Sequence, residues 1–465
     1  MNHRLSNSSD FSLNTFQTIL RPTEAWTAII ALLVVTLLGS VAGAGKILNF
    51  IFPAGAFTVG IILYFRAPIL YIGFTWWMWF ITPLVRRLAD YRSSFTDPSP
   101  ILLAPFLVTI ITLYTVLQYL TKSHKEGNLP FIFCLISLFY SFMIGLIQHS
   151  PVTVIIKLLD WVAPVLFGFH LSVNWRNYPH CRQNIQRTFF WGVLVMGVYG
   201  IIQYLFLPEW DRFWIIKSEM ASAGSPKPFL LNVHSTMNDR GTFAIFMMAG
   251  LLLLFSSQGS ANLPVSAAGL LSLMLTTVRT SWIGFLLGII AIITSVKSSV
   301  QMRLILILLL TALCSVPLTT MEPFSGRIKD RIESFSNLQE DTSFQARGSI
   351  YEDQLNNALT NFAGDGIGGG TGDSGFLTIL LQLGWLGAIF YCGGIVMMIF
   401  NLFKTRVTRL DSFASTARAI VLSTISMLPI GNLLDGVDGI IFWSFLGIGL
   451  AGNNYHIHQI TRDKN

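Results

Sequence analysis

The sequence predicts an all-α polytopic membrane protein of about 12 to 14 transmembrane helices with a large extracytoplasmic loop that contains short helices. Three observations lead there. Of the 465 residues, 52% are hydrophobic and only 11% are charged, against about 25% charged in soluble domains. The mean hydropathy is +0.60. Apolar runs near the length of a bilayer crossing recur along the chain, without the ten-residue alternation of a membrane β-barrel.

In chain order, a polar tail (MNHRLSNSSDFSLNTFQTILRP) precedes apolar segments at Trp26–Ala42, Ile47–Tyr64, Pro68–Val85, Ile101–Leu120 and Leu129–Ile147. Val152–Leu171, Phe189–Phe206, Gly241–Phe255, Pro264–Val278, Ser281–Val296 and Leu304–Leu318 follow. After a long polar stretch come Phe376–Phe400, Ile420–Ile430 and Gly439–Leu450. The first run carries no small-residue cleavage site, so it reads as an uncleaved membrane helix. The whole chain, 1–465, reads as a single multi-pass domain, and 321–373 as an extracytoplasmic loop within it that is the candidate working part.

A formal charge of +7 does not signal nucleic acid. The cations sit in short loops between apolar runs, with no basic stripe of interleaved aromatics. Cys134, Cys314 and Cys392 fall in apolar runs and Cys181 in a basic loop, and no pair has metal-ligand spacing. Lys404, Arg406 and Arg409 mark their loop as cytoplasmic. Counting back puts Met321–Asp373 and Pro208–Arg240 outside, and Lys297, Arg303, Arg176, Arg182 and Arg187 inside, with both termini cytoplasmic. Arg86, Arg87 and Arg92 break this bias, which would make one early segment re-entrant or misread.

Four stretches could carry chemistry. Arg279, in LTTVRTSWIGF, is the only charge in a long apolar region. Intramembrane charge is costly and functional by default, and the flanking Thr276, Thr277, Thr280 and Ser281 suit a tight turn between two short helices. The bland alternative is an arginine that snorkels to the interface. HSTMNDRGTFAIF places His234, Asn238, Asp239 and Arg240 before an apolar helix, where Asn238 or Asp239 would cap it and leave an anion site; a plain cap with an anchoring arginine is the simpler reading. In the loop, Arg347 offers a planar fork for a diphosphate. Asp373 offers a carboxylate to orient or deprotonate a hydroxyl, or a helix cap. Asp435 and Asp438 sit in a turn on the same side, and Lys157 and Asp160 are spaced to pair on one helix face. The string GDGIGG (Gly364 to Gly369) has no βαβ context, so it reads as a hinge for re-entry and not as a nucleotide loop.

STMNDRGTFAIF, LTTVRTSWIGF, then R-x-x-x-Y (Arg347 to Tyr351), G-x-G and DSGFLTILLQLGWLG, in this order, resemble the O-antigen ligase and exopolysaccharide polymerase superfamily of bacterial membrane glycosyltransferases. The likeness spans roughly Asn232 to Gly394. It implies a metal-independent, inverting glycosyl transfer at the outer face of the bacterial cytoplasmic (inner) membrane, with no cofactor. The implied partners are an undecaprenyl-diphosphate-linked oligosaccharide donor, a glycan acceptor, membrane lipid and other polysaccharide assembly or export proteins, with no nucleic acid. By resemblance, Arg279 and Arg347 hold the diphosphate and Asp373 lies at the reacting centre, with Arg240, Asp239, His234 and Tyr351 as substrate-binding residues. Ligases of the family typically carry histidine where this chain has Asp373, which leans towards a polymerase over ligase-type transfer to a lipid or protein acceptor. No D-x-D metal-diphosphate motif occurs. A lipid-linked glycan transporter or flippase would show inverted repeats, which are absent; a non-enzymatic assembly partner would have no need of the two arginines.

Overall fold

The computed structural model describes residues 22–119, 129–257, 259, 261–295, 301–302, 305–306, 308–309, 324–325, 351, 354–372, 374–404 and 411–464. These are α-helical, apart from loops and an isolated bridge between Gly224 and Leu231. Nine helices among them are long and apolar enough to cross a membrane, and three shorter apolar helices accompany them. The chain is an all-α, multi-pass membrane protein.

The first three helices are α1 (Pro22–Val41), α2 (Gly45–Arg66) and α3 (Pro68–Tyr91). Ala67, in a non-helical conformation before Pro68 at the first helical position, turns α2 back into α3. Arg92 Nη1 donates to the carbonyl of Val41 at 3.0 Å, closing the opposite end. All three therefore run the full length of the bundle, so the expected re-entrant segment is not among them. The expected single helix over Ile101–Leu120 is instead a 3-10 turn, Pro100–Leu103, followed by α4 (Ala104–Ile110) and α5 (Leu113–Tyr119).

Next come α6 (Leu129–Gln148), α7 (Pro151–Val173) and α8 (Tyr178–Phe206). The side chain of Ser150 accepts the Thr153 N–H ahead of Pro151, a regular helix start. Leu207 ends α8 in a left-handed conformation before Pro208. The amphipathic α9 (Glu209–Lys217) follows, then α10 (Arg240–Ser256), α11 (Asn262–Leu275) and α12 (Arg279–Ser295). The last long elements are α13 (Gly375–Lys404), α14 (Ser412–Met427) and α15 (Gly436–Lys464). Thus α14 starts eight residues before the expected Ile420. The expected segment Leu304–Leu318, with Cys314, lies largely outside the described residues.

Apolar side chains such as Phe50, Ile147 and Phe400 stand exposed on the perimeter, as lipid-facing positions do. Inside, Trp76, Trp79, Trp161 and Trp443 are fully buried. Helices touch through small residues, because apolar burial alone does not drive association in lipid. A Cβ on Gly447 of α15 would lie 2.1 Å from the carbonyl oxygen of Gly168 in α7.

The bundle has two chemically distinct ends. At one, Tyr178, Arg182 and His456 all donate to the carboxylate of Asp411, which also caps α14. This knot joins the start of α8, the start of α14 and the last turns of α15. Burial would raise the Asp411 carboxyl, but the bonds from His456, Arg182 and Tyr178 outweigh it and bring its pKa down to about 2. The other end gathers the ends of α3 and α8, residues 208–239, the α11–α12 turn, the glycine-rich segment and the α14–α15 turn. That second end holds the candidate site.

Candidate functional site

Asp239, in extended conformation, is the cap of α10: its Oδ2 accepts from the N–H groups of Gly241 at 2.5 Å and Thr242 at 3.2 Å. The helix terminus is therefore already filled by the protein's own carboxylate. This corrects the expectation of an open anion site there, since those donors are spent.

The next residue, Arg240, reaches sideways. Its Nη1 donates to Thr277 Oγ1 at 2.9 Å, and that hydroxyl donates to Asn232 Oδ1 at 3.2 Å. Thr277 sits in the turn between α11 and α12, two residues before Arg279, the first residue of α12. The turn is as tight as the threonines suggested. Thr276 folds its hydroxyl back onto Leu273 O, and Thr277 holds φ +58, a left-handed conformation that β-branched residues avoid. Such a conformation costs about 1–3 kcal/mol and persists where the surroundings enforce it. The Val233 N–H on Leu275 O, at 3.1 Å, sews the preceding loop to this turn. Asp239, Arg240 and Arg279 are thus brought to one end of the bundle; both arginines are half-buried.

His234 is placed differently. It is fully buried, and its backbone N–H donates to Gln203 Oε1. Gln203 Nε2 donates both to His234 Nε2 at 3.2 Å and to Asp211 Oδ2 at 2.9 Å. This leaves the ring proton on Nδ1, facing the carbonyl of Asn232. Burial, then the neighbouring Arg87, hold the imidazole pKa down to about 3. The ring is neutral and closed to solvent, and it orients Asn232 beneath the Thr277 hydroxyl.

The network around it was not read from sequence. Arg87 and Asp211 form an ion pair of 2.6 Å with no exposure on either side. Arg87 also donates to the carbonyl of Ser235, and Tyr199 OH completes the Asp211 carboxylate at 2.8 Å. Arg86 pairs with Asp90 and Asp97. Arg86 and Arg87, two of the three arginines that defied the charge bias, are therefore neutralised structural groups, and Arg92 serves a backbone carbonyl. The one signal was the defiance itself, together with Gln203 inside an apolar run.

The α14–α15 turn adds carboxylates. Asp438 lies close to Thr242, in the first turn of α10, and feels the charge of Asp239 and of Asp435. Asp438 Oδ1 is buried with no hydrogen-bond partner. Asn432 Nδ2 donates to Asp435 Oδ1 at 2.7 Å. Burial, then the nearby Asp160, push the Asp435 carboxyl up to about 7, against the opposing Lys157. Lys157 and Asp160 pair at 3.1 Å as their spacing suggested. Asp435 and Asp438 thus share one face with Asp239.

The glycine-rich segment descends between α6 and α13. The N–H of Ile367 donates to Ser141 O at 3.1 Å, and that of Asp365 to Leu381 O at 2.7 Å. His149 Nε2 donates to Asp365 O at 2.9 Å. The backbone groups it meets in α13 are free of the helix because α13 is interrupted at Gly384, with φ +64 and ψ −178. Below the break, the Trp385 N–H turns to Phe362 O at 3.0 Å. A Cβ on Gly145 would lie 2.2 Å from Ile367 O, and one on Gly384 2.3 Å from Ala363 C. The glycines permit backbone to lie on backbone. Trp161 Nε1 orients Gln382 at 2.8 Å, and Gln382 Nε2 reaches the carbonyls of Gly369 and Gly370. Sequence offered no sign of the α13 break beyond a lone glycine in FLTILLQLGWLG.

Of the loop residues proposed for chemistry, Arg347 and Asp373 lie outside the described residues, as does most of 321–373. Tyr351 is described and is 38% exposed. Comparison of the chain with protein-family models and with curated proteins returns no match.

Proposed function

We propose that the chain is a membrane glycosyltransferase that polymerises undecaprenyl-diphosphate-linked glycan repeat units, or transfers them to another acceptor, at the outer face of a bacterial cytoplasmic membrane. The observation that carries the reading is the Arg240–Thr277 hydrogen bond of 2.9 Å. It joins the two stretches that carry the resemblance, STMNDRGTFAIF and LTTVRTSWIGF, at the end of the bundle where the glycine-rich segment is seated.

The topology fits. Arg176, Arg182, Arg187, Lys404 and Arg462 cluster around the Asp411 knot, so that end is taken as cytoplasmic, with both termini. The site then faces outwards, where lipid-linked repeat units are assembled. Arg279 and Arg240 serve the diphosphate, whose departure develops negative charge that fixed guanidinium groups stabilise. By the resemblance, Arg347 adds its charge to the diphosphate, Asp373 supplies a carboxylate and Tyr351 serves the glycan. Asp239 holds the start of α10, and His234 sets Asn232 and through it Thr277, so their part is positioning. The reaction is metal-independent and inverting: an acceptor hydroxyl attacks the anomeric carbon, its proton passes to a carboxylate, and undecaprenyl diphosphate leaves.

Incubating purified protein with an undecaprenyl-diphosphate-linked repeat unit tests this. Longer lipid-linked chains mean polymerisation, and transfer to a second acceptor means ligation. Recovery of unchanged substrate under all acceptors contradicts the reading.

A further inference from the structure

A cavity of about 580 Å³ lies at the opposite end of the bundle from the candidate site, beside the Asp411 knot. One wall is a single face of α8. Gln183, Gln186, Arg187, Phe190 and Trp191 recur at the three- and four-residue spacing that aligns side chains on a helix. Over about 12 Å of helix axis, this wall changes from amides and a guanidinium to aromatic rings. Ser257 and Asn262, in the turn between α10 and α11, close the other side.

The charge of the cavity is unbalanced. Arg182 gives Nη1 to Asp411 at 3.1 Å, so part of its charge is met. Arg187 is exposed, and no carboxylate among the described residues pairs with it. No acidic side chain lines the cavity. Trp191, two helix turns from Gln183, is 55% exposed on the perimeter of a membrane protein, the placement of an interfacial anchor. A cationic, amide-rich pocket grading into exposed aromatics fits a molecule with an anionic phosphate head and an apolar tail. The size falls within the ordinary range of small-molecule sites.

We propose that this cavity seats the anionic headgroup of a membrane phospholipid, with Arg187 on the phosphate, the Gln183 and Gln186 amides on its oxygens or its alcohol, and Trp191 beside the first acyl carbons. Basic pockets between membrane helices recognise lipid heads in this way. The proposal is independent of glycosyl transfer, since none of these residues belongs to that site.

The test is a titration of the purified full chain in neutral detergent, following its apparent Tm. Phosphatidylglycerol raises the Tm saturably, and phosphatidylcholine does not. The half-saturating concentration rises with added salt, as expected for a phosphate held by exposed cations. Arg187→Gln, with its lipid-free Tm unchanged, weakens half-saturation about fivefold, the effect of one near-surface cation, and Arg187→Lys stays near the parent. Equal shifts from both lipids, no shift at all, or no change in half-saturation with salt or in Arg187→Gln overturns the proposal. Inorganic phosphate alone giving the full shift also overturns it, because the ligand would then be a free anion and not a lipid.

Discussion

Arg87 and Asp211, 124 positions apart in sequence, meet at 2.6 Å with both side chains fully buried. This pair pins the end of α3 to α9 and, through Gln203 and Ser235, to the loop that presents Asp239 and Arg240. A buried charge without its partner is far more costly than the pair is stabilising. Arg87→Met or Asp211→Leu alone should therefore destabilise the protein by about 3–5 kcal/mol. The double variant should lose less than either single change, as read by unfolding midpoints in detergent. Equal stability of the single variants and the parent would remove the pair from this role.

Arg279→Ala should abolish polymer in cells while the protein still inserts and accumulates, because the guanidinium is assigned to the diphosphate and not to folding. Arg240→Lys should fall well below the parent, since an ammonium cannot keep the fork geometry that serves Thr277 and an anion together. Immunoblots of membranes beside polymer gels separate lost activity from lost protein. Arg347→Ala should behave as Arg279→Ala does.

The glycine-rich segment depends on backbone contact at Gly145 and Gly384. Gly145→Ala places a methyl 2.2 Å from the carbonyl oxygen of Ile367, a residue whose N–H is bonded to Ser141 O, and Gly384→Ala adds strain at φ +64. Each should cost about 1–3 kcal/mol through overpacking. Gly370→Ala and Gly393→Ala meet nothing within 4 Å and should be near neutral. Melting the four variants side by side gives the comparison.

Two groups predict opposite pH slopes. Asp435 has a folded pKa raised from its ordinary 3.8 to about 7. The unfolded chain therefore binds fewer protons between these values, and its contribution to stability falls as pH rises from about 4 to about 7. Asp435→Asn should remove that fall and be the more stable form above pH 7. His234, lowered from 6.5 to about 3, contributes stability that is present above pH 6.5 and lost as pH drops towards 3. Stability against pH for Asp435→Asn, with His234 left in place, should then lose the part of the fall that Asp435 contributes and keep the rise that His234 contributes.

Most of the helical plan was legible because apolar runs must hide their backbone in helices within a bilayer. The α11–α12 turn was legible too, since one arginine among threonines has nowhere else to sit. What escaped was long-range: Arg87 with Asp211, and Gly364 lying on Gly384. Each pairs residues from distant segments, and none leaves a local periodicity to detect. The α13 break escaped for a different reason. Composition fixes the hydrophobicity of FLTILLQLGWLG, whereas the break arises from carbonyls and N–H groups taken up by residues 362–365.

The most direct test of the central claim is product formation by purified protein supplied with an undecaprenyl-diphosphate-linked repeat unit in the presence of a metal chelator. Lengthened lipid-linked chains, or transfer to an added acceptor, are expected from the parent protein and none from Arg279→Ala. Absence of product from the parent, or equal product from both, would contradict that claim.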